Sequence, residues 1–127
     1  MSIDAIVEAS RVGMNQERLR LEAASRNIAA ANVPVAPGAQ PMRMEVTSFA
    51  DRIGASPQLG ERPAELRQVH DPSHPLADAS GNVTYPAIDL VTEMTTLVTA
   101  SRGYEANVKA FNLLRSMVLR ALEIGAK

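Results

Sequence analysis

The chain of 127 residues contains no cysteine and no tryptophan, and only four of its residues are aromatic. The absence of cysteine excludes a disulfide framework, a thiolate metal site and a cysteine nucleophile, although it leaves the redox compartment open. The aromatic residues stand among many Ala, Val, Leu, Ile and Met residues. This composition favours thin contacts between helices over a thick globular core.

The sequence also lacks a surplus of either charge and a long apolar run. Thirteen basic and fourteen acidic residues are interspersed, whereas nucleic-acid binding requires a clustered basic surface. No segment reaches the roughly 18 apolar residues of a membrane-spanning helix. Asp4, Glu8 and Arg11 interrupt the N-terminal stretch in which a secretory signal would be apolar. We therefore predict no nucleic-acid partner, no direct membrane span and no cleaved signal peptide.

Proline is missing from both ends of the chain, because all eight prolines lie between Pro34 and Pro86. A helix interior tolerates almost no proline, so only the proline-free ends, of 33 and 41 residues, can form long helices. Ser2 and Asp89 are the expected N-caps, and Gly125 is the expected stop of the second helix. The sequence thus predicts three segments: a helical segment 1–32 with its helix over about 3–31, a proline-rich loop and short β segment 33–88, and a helical segment 89–127 with its helix over about 90–124.

Each end carries a heptad-like repeat, in which apolar residues recur in alternating steps of four and three. Seven of nine grid positions from Ile3 are apolar, and eight of ten from Leu90. Such repeats are typical of two long helices that pack as an antiparallel coiled-coil hairpin, so the predicted fold class is mainly α. Glu17 and Arg115 also lie on the grid, where they form either an ion pair between the helices or two residues at the solvent edge. The grids comprise Ile3, Val7, Ser10, Met14, Glu17, Leu21, Ala24, Ile28 and Ala31, and Leu90, Met94, Leu97, Ser101, Tyr104, Val108, Phe111, Arg115, Val118 and Leu122.

The second helix carries more apolar surface than one partner helix can bury, because large apolar residues spread beyond its heptad grid. We expect a helix from another copy of the chain to cover this surface. The alternative is a monomer in which the middle segment folds over the same surface. The residues concerned are Ile88, Val91, Val98, Leu114, Met117, Leu119 and Ile124.

The middle segment has weak signals for regular structure. Residues 42–49 alternate with a period of two and predict a short strand, and residues 66–69 and 82–85 predict weaker strands. Residues 54–63 hold two glycines and two prolines and predict a loop. The expected arrangement is a small antiparallel ribbon of two or three strands.

One constellation invites a metal-binding or catalytic interpretation, because His70 and His74 flank Asp71. Four-residue spacing aligns ligands only on a helix, and two prolines in the segment 70–75 exclude one. We therefore interpret the segment as a proline-fixed turn in which Asp71 or Ser73 caps local amides. The sequence also contains no phosphate loop, dinucleotide fingerprint or nucleophile elbow, and we predict no cofactor, no metal and no enzymatic activity.

Three stretches resemble one known group of proteins. The first helix closes with Asn27-Ile28-Ala29 and Ala31-Asn32, similar to the Asn-Ile-Ala-Asn-Ala-Asn ending in bacterial flagellar rod, hook and hook-filament proteins. Residues 70–75 resemble Tyr-Asp-Pro-Ser-His-Pro, and residues 100–108 resemble Ala-Ser-Arg-x-Tyr-x-Ala-Asn-Val, two segments of flagellar proximal rod proteins. The chain is therefore similar to the flagellar basal-body rod protein family, and in particular to its proximal rod members.

The resemblance implies a structural subunit that polymerises through its terminal helices into the hollow drive shaft that transmits motor torque. It implies export through the flagellar type III apparatus without a cleaved signal, and a location in the periplasmic rod of the basal body. The implied partners are other rod subunits and the junction protein between the rod and the MS ring, through self-association or hetero-oligomerisation. We expect the assembly interface to comprise Leu21, Asn27, Ile28, Asn32, Met94, Leu97, Ser101, Arg102, Tyr104, Asn107, Val108, Phe111 and Val118.

Two other functions compete with the rod subunit. A soluble helical adaptor of a secretion apparatus would use the same helix surfaces in a small oligomer of fixed stoichiometry. A metalloenzyme would be centred on His70 and His74.

Overall fold

Two long helices flank four short strands in the computed structural model, which describes residues 2–47 and 56–126. The predicted mainly α character and the bounds of both helices are confirmed to within one residue. In chain order the elements are α1 (Ile3–Ala30), β1 (Met42–Val46), β2 (Leu59–Pro63), β3 (Leu66–His70), β4 (Asn82–Pro86) and α2 (Leu90–Gly125).

Both helices begin at the predicted caps. The Ser2 hydroxyl oxygen accepts from the Ala5 amide at 3.3 Å, and Asp89 accepts from the Val91 amide at 3.0 Å and from the Thr92 hydroxyl at 2.8 Å. The hydrogen bonds from Thr92 and Val91 hold the pKa of the Asp89 carboxyl below its ordinary value, because they favour its charged form. Each cap satisfies amides that a helix start leaves without a partner.

The two helices pack against each other in opposite directions. Gly13 of α1 faces the Asn107 side chain of α2, and Gly103 of α2 faces the Glu17 side chain of α1. A Cβ added at Gly103 would lie 2.9 Å from Cδ of Glu17, so a close approach of the helices explains this glycine in the middle of α2. Ala100, one turn earlier, is fully buried. Small residues therefore form the central contact of the pair.

This contact differs from the predicted heptad grid of α2. Met94 and Tyr104, which lie on that grid, remain 51% and 37% exposed. The grid follows the largest apolar residues, whereas the observed contact follows the small residues that allow two backbones to approach. The first half of the predicted stripe consequently lies on a flank of the helix pair, where α1 does not cover it fully.

Of the two alternatives for Glu17 and Arg115, the ion pair between the helices is wrong. Glu17 pairs instead with Arg20 of its own helix at 3.0 Å and lies over Gly103. Arg115 is exposed and lies twelve residues further along α2 than Gly103, which places it about 18 Å away along the helix axis. The antiparallel register therefore keeps these two charges apart.

The middle segment forms two separate antiparallel pairs, β1 with β2 and β3 with β4, rather than one ribbon. Strands β1, β3 and β4 confirm the three predicted strands, although residues 48 and 49 of the first lie outside the described residues. The predicted loop 54–63 is wrong at its end, because β2 occupies 59–63 and pairs Leu59 with Val46 and Pro63 with Met42. In a two-stranded sheet one edge of each strand has no neighbouring strand. A proline, which has no amide hydrogen to donate, can therefore lie in such a strand without breaking a hydrogen bond of the sheet.

The buried residues of the two helices cluster where the strands meet them. Those of α1 all lie in its C-terminal half, and those of α2 all lie in its N-terminal third. The described chain thus has a packed junction end, where the strands meet the helices, and a distal end, where the N-terminal half of α1 meets the C-terminal half of α2. The buried residues are Leu19, Ala23, Ala24 and Asn27 in α1, and Glu93 and Ala100 in α2.

Candidate assembly interface

The outer face of α2 carries a row of exposed apolar side chains near its N-terminus. Val91, Met94 and Val98 are 73%, 51% and 53% exposed. Their spacing of three and four residues places them on one side of the helix. Together with Thr95, Thr99 and Arg102 they line an open groove of about 460 Å³. An apolar row of this kind, unpartnered within the described chain, is typical of a surface that binds another protein.

A second set of exposed apolar side chains lies in the C-terminal half of α2. Its most exposed member is Ile124, at 78%. Five of the seven residues predicted to need a cover are exposed: Val91, Val98, Met117, Leu119 and Ile124. The alternative in which the middle segment folds over the second helix is therefore wrong for these positions. The exposed large apolar residues of this second set are Leu113, Met117, Leu119, Leu122 and Ile124.

Two further grooves are built from both helices. Leu21 of α1 lines one of about 580 Å³ together with Leu97 and Ser101 of α2. At the distal end, Ile6 and Val118 contribute to another of about 270 Å³, whose remaining lining residues are Ile3, Val7, Leu114, Met117 and Ala121. Because each groove needs both helices, its shape depends on how α2 is oriented against α1.

At the junction end, β1 is hydrogen-bonded to both helices. The buried Asn27 side chain donates from Nδ2 to the Met44 carbonyl at 2.9 Å and accepts at Oδ1 from the Met44 amide at 2.6 Å. Nη2 of Arg43 donates to Oε1 of Glu93 in α2 at 2.7 Å, and the Glu93 side chain is 7% exposed. Arg43 Nε is buried without a partner among the described residues. Adjacent residues of one strand therefore contact two different helices.

The segment 70–75 forms the predicted turn. Asp71 accepts from the Ser73 hydroxyl at 2.7 Å and from the Ser73 amide at 3.2 Å, and these bonds hold the pKa of its carboxyl below the ordinary value. His70 contacts Asn82 at 3.2 Å, and His74 Nδ1 accepts from the Leu76 amide at 3.0 Å. Within residues 2–47 and 56–126, no group of three or more His, Asp or Glu side chains could hold a metal ion.

Comparison with known proteins identifies the family. The family model described as "Flagellar basal body rod FlgEFG protein C-terminal" matches residues 79–124. The flagellar basal-body rod protein FlgC of Escherichia coli O6:H1 is 33% identical over 135 aligned residues, which cover 98% of this chain and 99% of the relative. The chain belongs to the FlgC family of flagellar basal-body rod proteins.

Other members of the FlgC family show similar coverage or higher local identity. FlgC of Borreliella burgdorferi is 29% identical, with 98% of each chain covered. FlgC of Bacillus subtilis is 43% identical over 68 residues, which are 54% of this chain and 45% of the relative. The resemblance to a structural rod protein is thereby confirmed, and the adaptor interpretation is not favoured. In the described part of this FlgC-family chain, neither helix is apolar enough to cross a membrane.

The residues expected at the assembly interface occupy three kinds of position. Asn27 is buried and hydrogen-bonded to Met44 within the chain, so its side chain is not available for contact with another subunit. The exposed members are Asn32, Met94, Arg102 and Tyr104. The half-buried members are Leu21, Ile28, Leu97, Ser101, Asn107, Val108, Phe111 and Val118.

The interface expected from the sequence omits several residues that are exposed in the structure. Val91, Val98 and Leu122 are each more than half exposed, although only Leu122 lies on the heptad grid. Arg43 and Glu93 also lie outside the expected site. The sequence pattern predicts a cover over Val91 and Val98 and places Leu122 on the heptad grid. No local pattern joins Arg43 to Glu93, fifty residues away.

Proposed function

We propose that this FlgC-family protein is a subunit of the flagellar rod that assembles by burying the outer face of α2 against neighbouring subunits. The observation that carries the proposal is the exposed row Val91, Met94 and Val98. Fully burying one large aliphatic side chain contributes roughly 1.5–3 kcal/mol, so a few such side chains stabilise a contact substantially. Polymerisation would remove this surface from water.

We also propose that the contacts between subunits are coiled-coil contacts of the terminal helices. The predicted heptad stripe of α2 supports this, because Met94 and Tyr104 lie on a flank that α1 leaves partly open. Leu97, Ser101 and Leu21 line an adjoining groove, into which side chains of a neighbouring helix would fit. The partners would be other rod subunits and the protein that joins the rod to the MS ring, and the polymer would be a hollow shaft that transmits torque.

The proposed location is the periplasmic rod of the basal body, reached through the flagellar type III export apparatus. The family name supports the basal body as the site of action. The slender helix pair supports export in an unfolded state, because few residues of either helix are buried within the chain and folding would be completed by assembly.

The proposal is tested with Met94→Glu and Val98→Glu in the full chain, expressed in a strain that lacks its own copy. A charge on the proposed interface would cost several kilocalories per mole on burial, so incorporation into purified basal bodies should fall at least about tenfold. Incorporation is measured by mass spectrometry of a peptide such as 103–109. The matched control is Gln68→Glu, which introduces the same charge at an exposed residue of β3. Normal incorporation of both α2 variants would contradict the proposed surface.

A further inference from the structure

The orientation of the first half of α2 depends on few buried groups. Of the described residues in this helix, only Glu93 and Ala100 are buried. Ala100 and Gly103 are small apolar residues, so they let the helices approach closely but supply no directional side-chain bond. Among the described residues, the Arg43–Glu93 hydrogen bond is therefore the most directional contact that holds this part of the helix.

The same contact lies next to the proposed assembly surface. Met94 follows Glu93 directly, and Leu97 follows one turn later. Because α2 is a continuous helix, a rotation that breaks the contact of Glu93 turns Met94 and Leu97 through the same angle. The direction in which these side chains point is thus coupled to the position of Arg43.

Arg43 is itself fixed, because its neighbour Met44 is held by Asn27. Both backbone groups of Met44 are bonded to one amide side chain, which leaves β1 little freedom to shift along α1. The chain of contacts runs from α1 through β1 to α2, and the side chains that make it are buried except for part of Arg43, whose side chain is 33% exposed.

We propose that β1 is a brace between the two helices and that Asn27, Arg43 and Glu93 are positioning residues for the assembly surface at Met94 and Leu97. The brace fixes the rotation of α2, and so the direction of the surface that meets the neighbouring subunit. This inference rests on the proposed function, since it assumes that Met94 and Leu97 meet another subunit.

The decisive variant is Arg43→Leu combined with Glu93→Leu. Replacing both members of a buried ion pair by apolar residues is often neutral for stability, and here it also removes the unpartnered Arg43 Nε. The variant should remain folded, yet incorporate into basal bodies about tenfold less than the unmodified chain, because a leucine pair lacks the directional bond. Glu93→Gln, which keeps an acceptor for Arg43, should incorporate nearly normally.

The matched control replaces the exposed ion pair of the same hairpin, Glu45 with Arg62 at 3.1 Å, by two leucines. Orientation is measured directly by electron paramagnetic resonance between spin labels on cysteines introduced at Glu61 and Lys109, which is possible without background because the chain has no cysteine. The distance distribution should broaden in the Arg43→Leu, Glu93→Leu variant and stay narrow in the control.

A folded Arg43→Leu, Glu93→Leu variant with unchanged label distances and normal incorporation would overturn the brace. If that variant does not fold, Arg43→Lys replaces it, because lysine keeps the charge but not the guanidinium geometry. Unchanged distances and full incorporation of the lysine variant would overturn the inference equally. Normal incorporation of both Met94→Glu and Val98→Glu would instead refute the proposed assembly surface, which separates the two failures.

Discussion

The junction end and the distal end of the helix pair are stabilised by different means. At the junction end, Asn27 and Glu93 are buried and hydrogen-bonded to β1, and Leu19 and Ala100 are buried. At the distal end, contacts are aliphatic and no residue of either helix is fully buried within the described ranges. Both ends expose apolar side chains of α2 that a neighbour can bury, but only the junction end also has buried residues that hold its geometry within one chain.

Burial therefore separates residues that fold the subunit, which are concentrated at the junction end, from exposed residues of α2 that assemble it. A substitution of a buried residue at the junction end should lower the free energy of unfolding of the isolated chain. A substitution on the open surfaces should leave that free energy nearly unchanged and affect assembly. Four sets of substitutions test this division, in order of decreasing effect.

Leu97→Glu or Phe111→Glu should abolish rod assembly while export of the chain continues. Both residues are half-buried, and a carboxylate there would meet apolar side chains on assembly. Swimming on soft agar measures assembly, and immunoblotting of the periplasmic fraction measures export. Normal swimming would show that these residues lie outside the contacts between subunits.

Asn27→Ala should lower the free energy of unfolding by about 2–4 kcal/mol, because it leaves the amide and the carbonyl of Met44 without their partner. Urea denaturation followed by circular dichroism gives this value. Asn32→Ala, at an exposed position, is the control and should change stability by less than about 0.5 kcal/mol. Equal effects of the two substitutions would argue against the junction as the stable end.

Leu19→Ala and Val118→Ala compare the two ends directly. Leu19 is buried, and its truncation should cost about 2–4 kcal/mol. Val118 is half-buried, and its truncation should cost about 1 kcal/mol or less in the isolated chain. The same urea experiment measures both values, and a larger cost at Val118 would reverse the assignment of the two ends.

The smallest effect concerns pH and the cap of α2. Since the pKa of Asp89 is held below its ordinary value in the folded chain, its contribution to stability is complete above the unfolded pKa of about 4. It is lost as the pH falls through the lower folded pKa. Asp89→Asn should therefore reduce the acid dependence of stability between about pH 5 and pH 2, measured by thermal unfolding. An unchanged profile would show that the cap does not contribute.

The sequence predicts features that depend on residues close together in the chain. It fails to predict features that depend on contacts between residues far apart in the chain. Ser2 and Asp89 are found as caps because capping is local. The strand β2 is missed because its partner β1 compensates for Gly60 and Pro63. The predicted contact face of α2 differs from the observed one because Ala100 and Gly103 contribute little hydrophobicity to the sequence pattern, although their small size determines the packing.

The candidate site was predictable only in part, for the same reason. The exposed stripe is readable from helical spacing, since Met94 and Tyr104 belong to a regular repeat. The intrachain role of Asn27 is not, because its partners are backbone groups of Met44, which lies 17 residues away and gives no side-chain signal. Side chains that join separate elements require the folded arrangement before they can be recognised.

The two helices differ in length. With 28 residues in α1 and 36 in α2, the second helix is longer by roughly 12 Å, given a rise of ~1.5 Å per residue. Because the helices are antiparallel and meet near the strands, the surplus extends past the start of α1, where Leu122 and Ile124 lie. Leu122 and Ile124 are exposed because α1 begins at Ile3 and does not run alongside them, and a neighbouring molecule that packed there would shield this overhang from water.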